Sequence, residues 1–314
     1  VKVLVTGGAG FIGSHVCDAF LRAGHEVIAL DNLSSGKREN LDPRVRLSVR
    51  DIRSPEAAEL IRNERPQVIC HLAAQMDVRR SVEDPRFDAD ANILGMLNLL
   101  EAARIAGVKK VIFSSTGGAI YGEQDVFPAP ENHATRPVSP YGVSKASGEL
   151  YLGYYKAQYG LQYVALRYAN VYGPRQNPHG EAGVVAIFAQ RLVAGQPCTI
   201  FGDGGQTRDF VFGPEVARAN LLAFEKDYVG AVNIGTGIET DINQLYAGLA
   251  EAAGSKAQVT HAPGKPGEQR RSCIDPSLAK KVLGWEPSVG LSEGLRKTVE
   301  FFRSKAREPA RASG

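Results

Sequence analysis

Cysteine is scarce in this chain, with 4 among 314 residues, and Cys17, Cys70, Cys198 and Cys273 stand far apart with no CxxC pair. Zinc sites and disulfide frameworks need closely spaced thiols, so neither is expected, no metal is expected, and a reducing compartment suits the chain. An excess of one charge is missing as well. Lys+Arg 37 against Asp+Glu 34 leaves +3, with no concentrated basic stripe, which argues against a nucleic-acid partner. No apolar run approaches a membrane span, and the opening Val1–Gly7 has no signal-peptide layout. The expectation is a cytoplasmic protein with no membrane partner. There is no internal repeat. Hydrophobic residues at 43% and charged residues at 23% exclude wholesale disorder.

What is present is alternation. Lys2–Thr6, Glu26–Leu30, Val45–Val49, Gln67–His71 and Lys110–Ser114 are short apolar runs closed by polar residues, and Leu161–Asn170 adds another. Between them lie helical patterns, among them Pro55–Arg62, a long one over Phe87–Ala106, and Ser139–Gln158. This spacing predicts right-handed βαβ units and a parallel sheet, with ligands beyond the carboxyl ends of the strands. After residue 170 the text changes to Gly- and Pro-marked loops, with further helices over Glu215–Phe224 and Ile242–Ala253 and a strand at Gly230–Ile234. The expected organisation is a cofactor domain over 1–170, rejoined by about 205–235, a substrate lobe mainly over 171–305, and a frayed tail at 306–314.

Thr6-Gly7-Gly8-Ala9-Gly10-Phe11-Ile12-Gly13 links the first strand to the first helix. Glycines at Gly7, Gly10 and Gly13 suit a tight turn, approach of the backbone to a pyrophosphate, and close helix–sheet packing. The helix N-terminus supplies unpaired N–H groups for the phosphates. Asp31 closes the second strand where a carboxylate meets a ribose 2′-hydroxyl and repels a 2′-phosphate. The fold class is therefore α/β, a Rossmann-type doubly wound parallel sheet with a smaller C-terminal substrate-binding lobe, and the cofactor is NAD rather than NADP. Asp51-Ile52 suits an adenine contact, although Asp51 equally suits a loop cap.

Ser139-Pro140-Tyr141-Gly142-Val143-Ser144-Lys145 opens a helix, with Ser139 as N-cap. Tyr141 and Lys145 share one face. An ammonium beside a phenol favours the phenolate and makes it a usable base. An amphipathic helix with a buried ring and a solvated lysine has the same spacing; Ser114-Ser115-Thr116, at the end of a preceding strand, adds the hydroxyl that catalysis would use.

Together these motifs resemble the extended short-chain dehydrogenase/reductases, and most closely the UDP-glucose (UDP-galactose) 4-epimerase family. The resemblance runs over nearly the whole chain, through Asp31-Asn32-Leu33-Ser34-Ser35-Gly36, His71-Leu72-Ala73-Ala74, Tyr141 with Lys145, Arg167-Tyr168-Ala169-Asn170, Arg208-Asp209-Phe210 and Pro266-Gly267-Glu268. It implies that Phe11, Ile12, Asp31, Asn32, Ser35 and Gly36 line the adenosine and phosphates, and that Asp51 and Ile52 flank the adenine. Leu72, Ala73, Ala74, Gln75 and Asn92 would follow the cofactor inward, with Tyr168 beside it. Tyr141 would take the proton from the sugar 4-hydroxyl, Lys145 would hold the nicotinamide ribose, and Thr116 (or its neighbour Ser115) would bond the sugar oxygen. Asn170 and Arg208 would bind the diphosphate. Gly183, Val184, Thr199, Ile200 and Phe201 would surround the uridine, with Lys265, Glu268, Arg271 and Ser272 completing the substrate side. Arg208 has a plainer reading as a surface arginine paired with Asp209.

The implied reaction is oxidation at C4, rotation of the keto sugar and reduction on its opposite face, with NAD regenerated each turnover. Dehydratase relatives carry an Asp-Glu pair after the Ser/Thr and decarboxylases a Glu; here Gly117-Gly118-Ala119-Ile120-Tyr121 follows instead. Epimerisation is thus expected over elimination. The alternatives are a UDP-glucuronate epimerase, which would want a cation near C6 such as the loop residues Arg175 and His179 (loop charges being usually solvated), another enzyme of the same group such as a 4,6-dehydratase or decarboxylase, and a non-catalytic NAD-binding protein. Ser272, where some epimerases hold a bulky ring, leaves room for an N-acetyl group. Lys265 replaces a usual arginine, for which Arg271 can compensate, and Met76 replaces a lysine of some relatives. The helices Phe87–Ala106 and Ser139–Gln158 resemble those that pair in a homodimer; Tyr151, Tyr154 and Tyr155 suit that face and equally suit the core.

Overall fold

The structure, a computed structural model, describes residues 1–179, 183–264 and 269–307. Strands β1 (Lys2–Thr6), β2 (Glu26–Asp31), β3 (Arg46–Val49), β4 (Val68–His71), β5 (Lys110–Thr116) and β6 (Gln162–Tyr168) join Gly230–Ile234 in a 7-stranded sheet. All neighbours are parallel, in the order Gly230–Ile234, β6, β5, β4, β1, β2, β3. Parallel sheets are covered on both faces, which is why these strands read as near-continuous apolar runs. In β1, Val3 and Val5 enter a cluster with Val16, Phe20 and Val216, while Leu4 enters the opposite one with Ile28, Ile61 and Leu99.

The sheet order positions the site. From β1 the chain runs outward through β2 and β3, then returns to β4 on the other flank. The connections leave a crevice at the carboxyl ends of β1 and β4, the switch point where open α/β sheets bind ligands. The glycine turn opens into it.

A second, 4-stranded sheet is built on Thr207–Phe212. It pairs antiparallel with Glu239–Asp241 and parallel with Arg271–Ser272 and Asn170–Tyr172. A separate apolar cluster lies around it, including Phe188, Leu192, Phe210, Leu245 and Val299. Helix Gly213–Glu225 packs back on helix Phe11–Arg22 before Gly230–Ile234 enters the main sheet. Trp285 is fully buried and donates Nε1–H to the Glu215 carbonyl at 2.9 Å, anchoring the chain that follows Leu283.

One expected element differs. The long helix over Phe87–Ala106 is instead Pro85–Ala89, a π-helical turn at Asp90–Leu94, and Gly95–Ala106. A π-turn widens the helix by one residue and re-aims side chains. Here it lies where Asn92 bonds back to the Gln75 backbone. Among the described residues, no helix is long and apolar enough to cross a membrane. No group of three or more His, Cys, Asp or Glu among them could hold a metal ion.

Candidate active site

The glycine turn is packed too tightly for side chains. Gly7 has φ +68°, and a Cβ there would lie 2.8 Å from the Ala73 nitrogen. A Cβ on Gly13 would collide with the Gly7 carbonyl oxygen. Gly10 caps helix Phe11–Arg22 without any side-chain bond, leaving first-turn N–H groups for a ligand. A cradle that admits only bare backbone beside a helix N-terminus fits a pyrophosphate. Phe11 lies edge-on to His15 at 5.8 Å, and Ile12 packs against the core.

Asp31 is buried at the end of β2, where Oδ2 accepts from Ala9 N at 3.0 Å and Oδ1 from Leu33 N at 2.8 Å. Gly36 backs onto it so closely that a Cβ would sit 2.8 Å from either carboxylate oxygen. The charge is fixed in place with lone pairs to spare for two ribose hydroxyls. Ser35 is exposed at the rim. Asn32 Nδ2 donates to Asp51 Oδ2 at 3.2 Å. Arg53 grips Asp51 through Nε and Nη2 at 2.9 Å each and reaches Asp90 at 2.7 Å. Its guanidinium holds the Asp51 carboxyl well below the usual range. Asp51 is thus an anchored rim carboxylate.

Two expectations change here. Ile52 is 8% exposed and its side chain packs under Gly95, within the core. Tyr168 points into the core beneath the sheet, with its hydroxyl accepting from Asn220 Nδ2 at 2.8 Å. Burial pushes its phenol up, and the residue is structural.

The inner wall follows from one hydroxyl. Thr6 Oγ1 accepts from Leu72 N and Ala73 N at 3.2 Å each and shares a 2.7 Å bond with His71 Nδ1. The loop through Ala74 is therefore held against β1. Gln75 N donates to Asn92 Oδ1, and Asn92 Nδ2 donates to the Gln75 carbonyl, both at 2.8 Å. Met76, next along, is exposed.

His71 is a core histidine: burial, then the nearby Lys145 charge, pulls it down to about 3. His15, also buried, is pulled down to about 4. Both values lie below the ordinary 6.5, so the unfolded chain binds more protons between the two limits. Stability is expected to fall as pH drops through 6.5 toward 4 and 3, by up to several kcal/mol. Urea unfolding over a pH series checks this. The slope should flatten in His71→Gln, which keeps a partner for Thr6.

Helix Pro140–Tyr159 begins as its sequence requires, with Ser139 Oγ accepting from Gly142 N at 3.2 Å and Pro140 in the first turn. Lys145 is buried one turn in. Its Nζ donates to the Ser114 carbonyl at 2.8 Å and lies 4.9 Å from the Phe113 ring centroid and 5.7 Å from that of Tyr141. Burial pulls the ammonium down to about 8, against the opposing charge of Asp88. Tyr141 itself is half-buried.

Ser115 and Thr116, the two candidate hydroxyls at the end of β5, differ in their partners. Ser115 is buried with Oγ donating to Glu149 Oε1 at 2.6 Å, so its proton is spent away from the cleft. Thr116 Oγ1 accepts from Ala119 N at 3.2 Å as cap of helix Gly117–Ile120, which leaves its own proton to donate. A Cβ on Gly118 would lie 3.9 Å from Thr116 Oγ1 and 4.0 Å from both Asn170 Oδ1 and Ser272 Oγ. Three polar groups from distant segments thus converge on one gap.

Arg208 faces Ser272 in register. It is not the partner of Asp209, which is buried and accepts from Thr236 N, Thr236 Oγ1 and Gly237 N. Arg271 pairs with Glu239 at 2.6 Å and lies 3.8 Å over the Phe127 ring. Lys265 and Glu268 lie outside the described residues. Gly183 caps helix Val184–Val193, and Val184 is half-buried behind it. Thr199 and Phe201 are exposed on Cys198–Phe201, while Ile200 between them is buried in the second cluster and is corrected to a core residue. Arg175 pairs with Asp18 of helix Phe11–Arg22 at 2.8 Å.

Three residues escape a reading of the sequence. Asp88 is fully buried against Gln75, Asn92 and Ser144; Glu149 and Arg167 form a buried bidentate pair behind Ser115. Spacing carries a signal for Glu149, which follows Tyr141 and Lys145 at four-residue steps down one face.

Comparison with known proteins identifies relatives along nearly the whole chain. The model of the NAD dependent epimerase/dehydratase family matches residues 3–235. A UDP-glucose 4-epimerase of Mycolicibacterium smegmatis is 46% identical over 98% of this chain and 100% of its own. The crystal structure of a Thermotoga maritima UDP-glucose 4-epimerase with UDP-glucose superposes with TM-score 0.95 at 52% identity, covering 98% of this chain and 100% of that one. A Thermus thermophilus UDP-glucose 4-epimerase in complex with NAD gives 0.91 at 49% identity, covering 96% and 99%. The matches run over essentially the full length, and the chain belongs to the NAD-dependent epimerase/dehydratase family.

Proposed function

We propose that this protein is an NAD-dependent nucleotide-sugar 4-epimerase that interconverts UDP-glucose and UDP-galactose by transient oxidation at C4. The observation that carries the reading is the gap at Gly118, bounded by Thr116 Oγ1, Asn170 Oδ1 and Ser272 Oγ, with glycine rather than a carboxylate at positions 117 and 118. An elimination or decarboxylation needs an acid or base there; a site without one returns the keto sugar to an alcohol. The two relatives of known structure, with UDP-glucose and with NAD, support the same ligands here.

NAD, when bound, supplies the redox step, taking the C4 hydride and giving it back. Gly7 and Gly10 would face its pyrophosphate while Gly13 lets the helix pack on the turn, Asp31 would hold its adenosine ribose, and Lys145 its other ribose. Tyr141 takes the proton from O4 as the ketone forms and returns it when the ketone is reduced. The Lys145 ammonium favours the phenolate form that this requires. Thr116 donates to O4 and orients it. Arg208 and Asn170 take the diphosphate, an anion that suits a guanidinium, and Gly183, Val184, Thr199 and Phe201 border the uridine. A uronate substrate is disfavoured because Arg175 is held by Asp18.

Ser272, 4% exposed and facing the gap, leaves room beside the sugar, so the N-acetylated pair is also a substrate. Ser272→Tyr is expected to depress turnover of UDP-GalNAc by about tenfold or more relative to UDP-galactose, a loss of at least ~1.4 kcal/mol in transition-state binding. Equal losses would remove Ser272 from the sugar site.

The protein acts as a cytoplasmic homodimer in this reading. Val143, Leu150, Tyr151 and Tyr154 form an exposed face on helix Pro140–Tyr159, suited to pairing with a second copy. Tyr155 is not part of it; it is buried, with its hydroxyl on Glu101 at 2.5 Å. The test of the function is incubation with UDP-galactose and no added reductant, the product sugar being read by NMR. UDP-glucose is expected; an unchanged sugar would reject the substrate assignment.

A further inference from the structure

Asp88 plays no part in the chemistry above, yet it is fully buried. It lies one turn before Asn92, across the π-helical turn. Its Oδ1 accepts from Gln75 Nε2 at 3.1 Å and Asn92 Nδ2 at 3.0 Å, and its Oδ2 accepts from Ser144 Oγ at 2.6 Å. One carboxylate therefore ties the loop after β4 to the helix that carries Tyr141 and Lys145. All of these donors are neutral. A buried carboxylate is costly unless an opposite charge shares its surroundings. Lys145, adjacent to Ser144, has the complementary need, since its own contacts are a carbonyl oxygen and a ring face.

We propose that Asp88 is a positioning residue whose charge keeps Lys145 protonated and whose hydrogen bonds lock the Gln75–Asn92 wall to the catalytic helix. The proposal rests on the Tyr141–Lys145 reading above. Other charges around Lys145 are spoken for. On its own helix, Tyr141 is its proposed catalytic partner, and Glu149 is bound by Ser115 and by Arg167 of β6. From β4, His71 stays neutral and bonded to Thr6. On helix Val78–Glu83, Arg79 pairs with Asp77, Arg80 lies over Phe87, and Glu83 is exposed. Asp90 of the π-turn is held by Arg53, and Glu101 by Arg104 and Tyr155. Helix Gly117–Ile120 brings no titratable side chain. Asp88 remains as the negative charge opposing the burial of Lys145, and its effect there is to raise the ammonium.

The test is Asp88→Asn. The amide can keep the network, with Oδ1 accepting from Gln75 and Asn92 and Nδ2 donating to the Ser144 oxygen, so only the charge is lost. Removing a negative charge makes the ammonium easier to deprotonate. The alkaline limb of kcat for UDP-galactose should move down by about one pH unit, so that kcat at the alkaline end falls roughly tenfold while KM changes little. Ser144→Ala, which drops one hydrogen bond and keeps the charge, should leave the limb in place. A limb that stays put in Asp88→Asn, or moves equally in Ser144→Ala, overturns the proposal. If Asp88→Asn fails to fold, the stability cycle with Lys145→Met decides: the single Lys145 variant should be destabilised and the double variant should recover, and absence of coupling overturns it. An inactive wild-type protein would instead reject the functional reading, which separates the two failures.

Discussion

Replacing Tyr141 with phenylalanine should lower kcat for UDP-galactose by about two to four orders of magnitude, the usual worth of a positioned acid–base group. The substitution deletes one oxygen and keeps the ring 5.7 Å from Lys145 Nζ, so packing of the helix is preserved. KM and bound NAD should change little, because cofactor and diphosphate are held by other residues. Stopped assays at saturating sugar, with NAD quantified after denaturation, check both parts. A variant that keeps even a tenth of its turnover would remove Tyr141 from the reaction; a variant without NAD would show that the ring supports the cofactor rather than the chemistry.

The second large effect falls on stability. Arg167 and Glu149 meet through two bonds, Nε to Oε1 at 2.9 Å and Nη2 to Oε2 at 2.6 Å, with side chains 8% and 13% exposed. Arg167 Nη1 also reaches Tyr121 Oη and the Glu131 carbonyl, both at 3.0 Å. The pair ties β6 to the catalytic helix behind Ser115. Arg167→Met leaves Glu149 buried without its countercharge and should cost about 3 to 5 kcal/mol. Urea unfolding reads this as a lower midpoint. The deficit should shrink in the double variant Arg167→Met/Glu149→Leu, since a buried pair replaced whole costs far less than a pair broken. A single variant within about 1 kcal/mol of the parent would mean that the pair is solvated.

These predictions differ in how far the sequence foretells them. The glycine turn, Asp31 and the Tyr141–Lys145 pair are legible because their chemistry is local: a strand end, a helix start, or one turn of helix. The seven parallel strands are legible for a similar reason, since burial on both faces writes a continuous apolar run. The convergence on Gly118 is not local. Thr116, Asn170 and Ser272 come together only through the pairing of Asn170–Tyr172 and Arg271–Ser272 on Thr207–Phe212. Periodicity also hides the π-turn at Asp90–Leu94, because a one-residue slip inside a long helical pattern leaves its apolar residues nearly in phase. Composition says nothing of which hydroxyl is free. Ser115 and Thr116 are equivalent as text, and only the bond from Ser115 to Glu149 separates them. Ile52, Ile200 and Tyr168 fall to the core because motif resemblance marks a stretch of chain, whereas side-chain direction is set by the strand or turn that carries it.

The most direct measurement uses UDP-galactose deuterated at C4, in ordinary water. If the C4 hydrogen leaves as hydride and returns within the closed site, the UDP-glucose formed should keep the deuterium at C4 with inverted configuration, as read by NMR. Product carrying solvent hydrogen at C4 would mean that the bond is broken by proton abstraction, and would contradict transient oxidation by bound NAD.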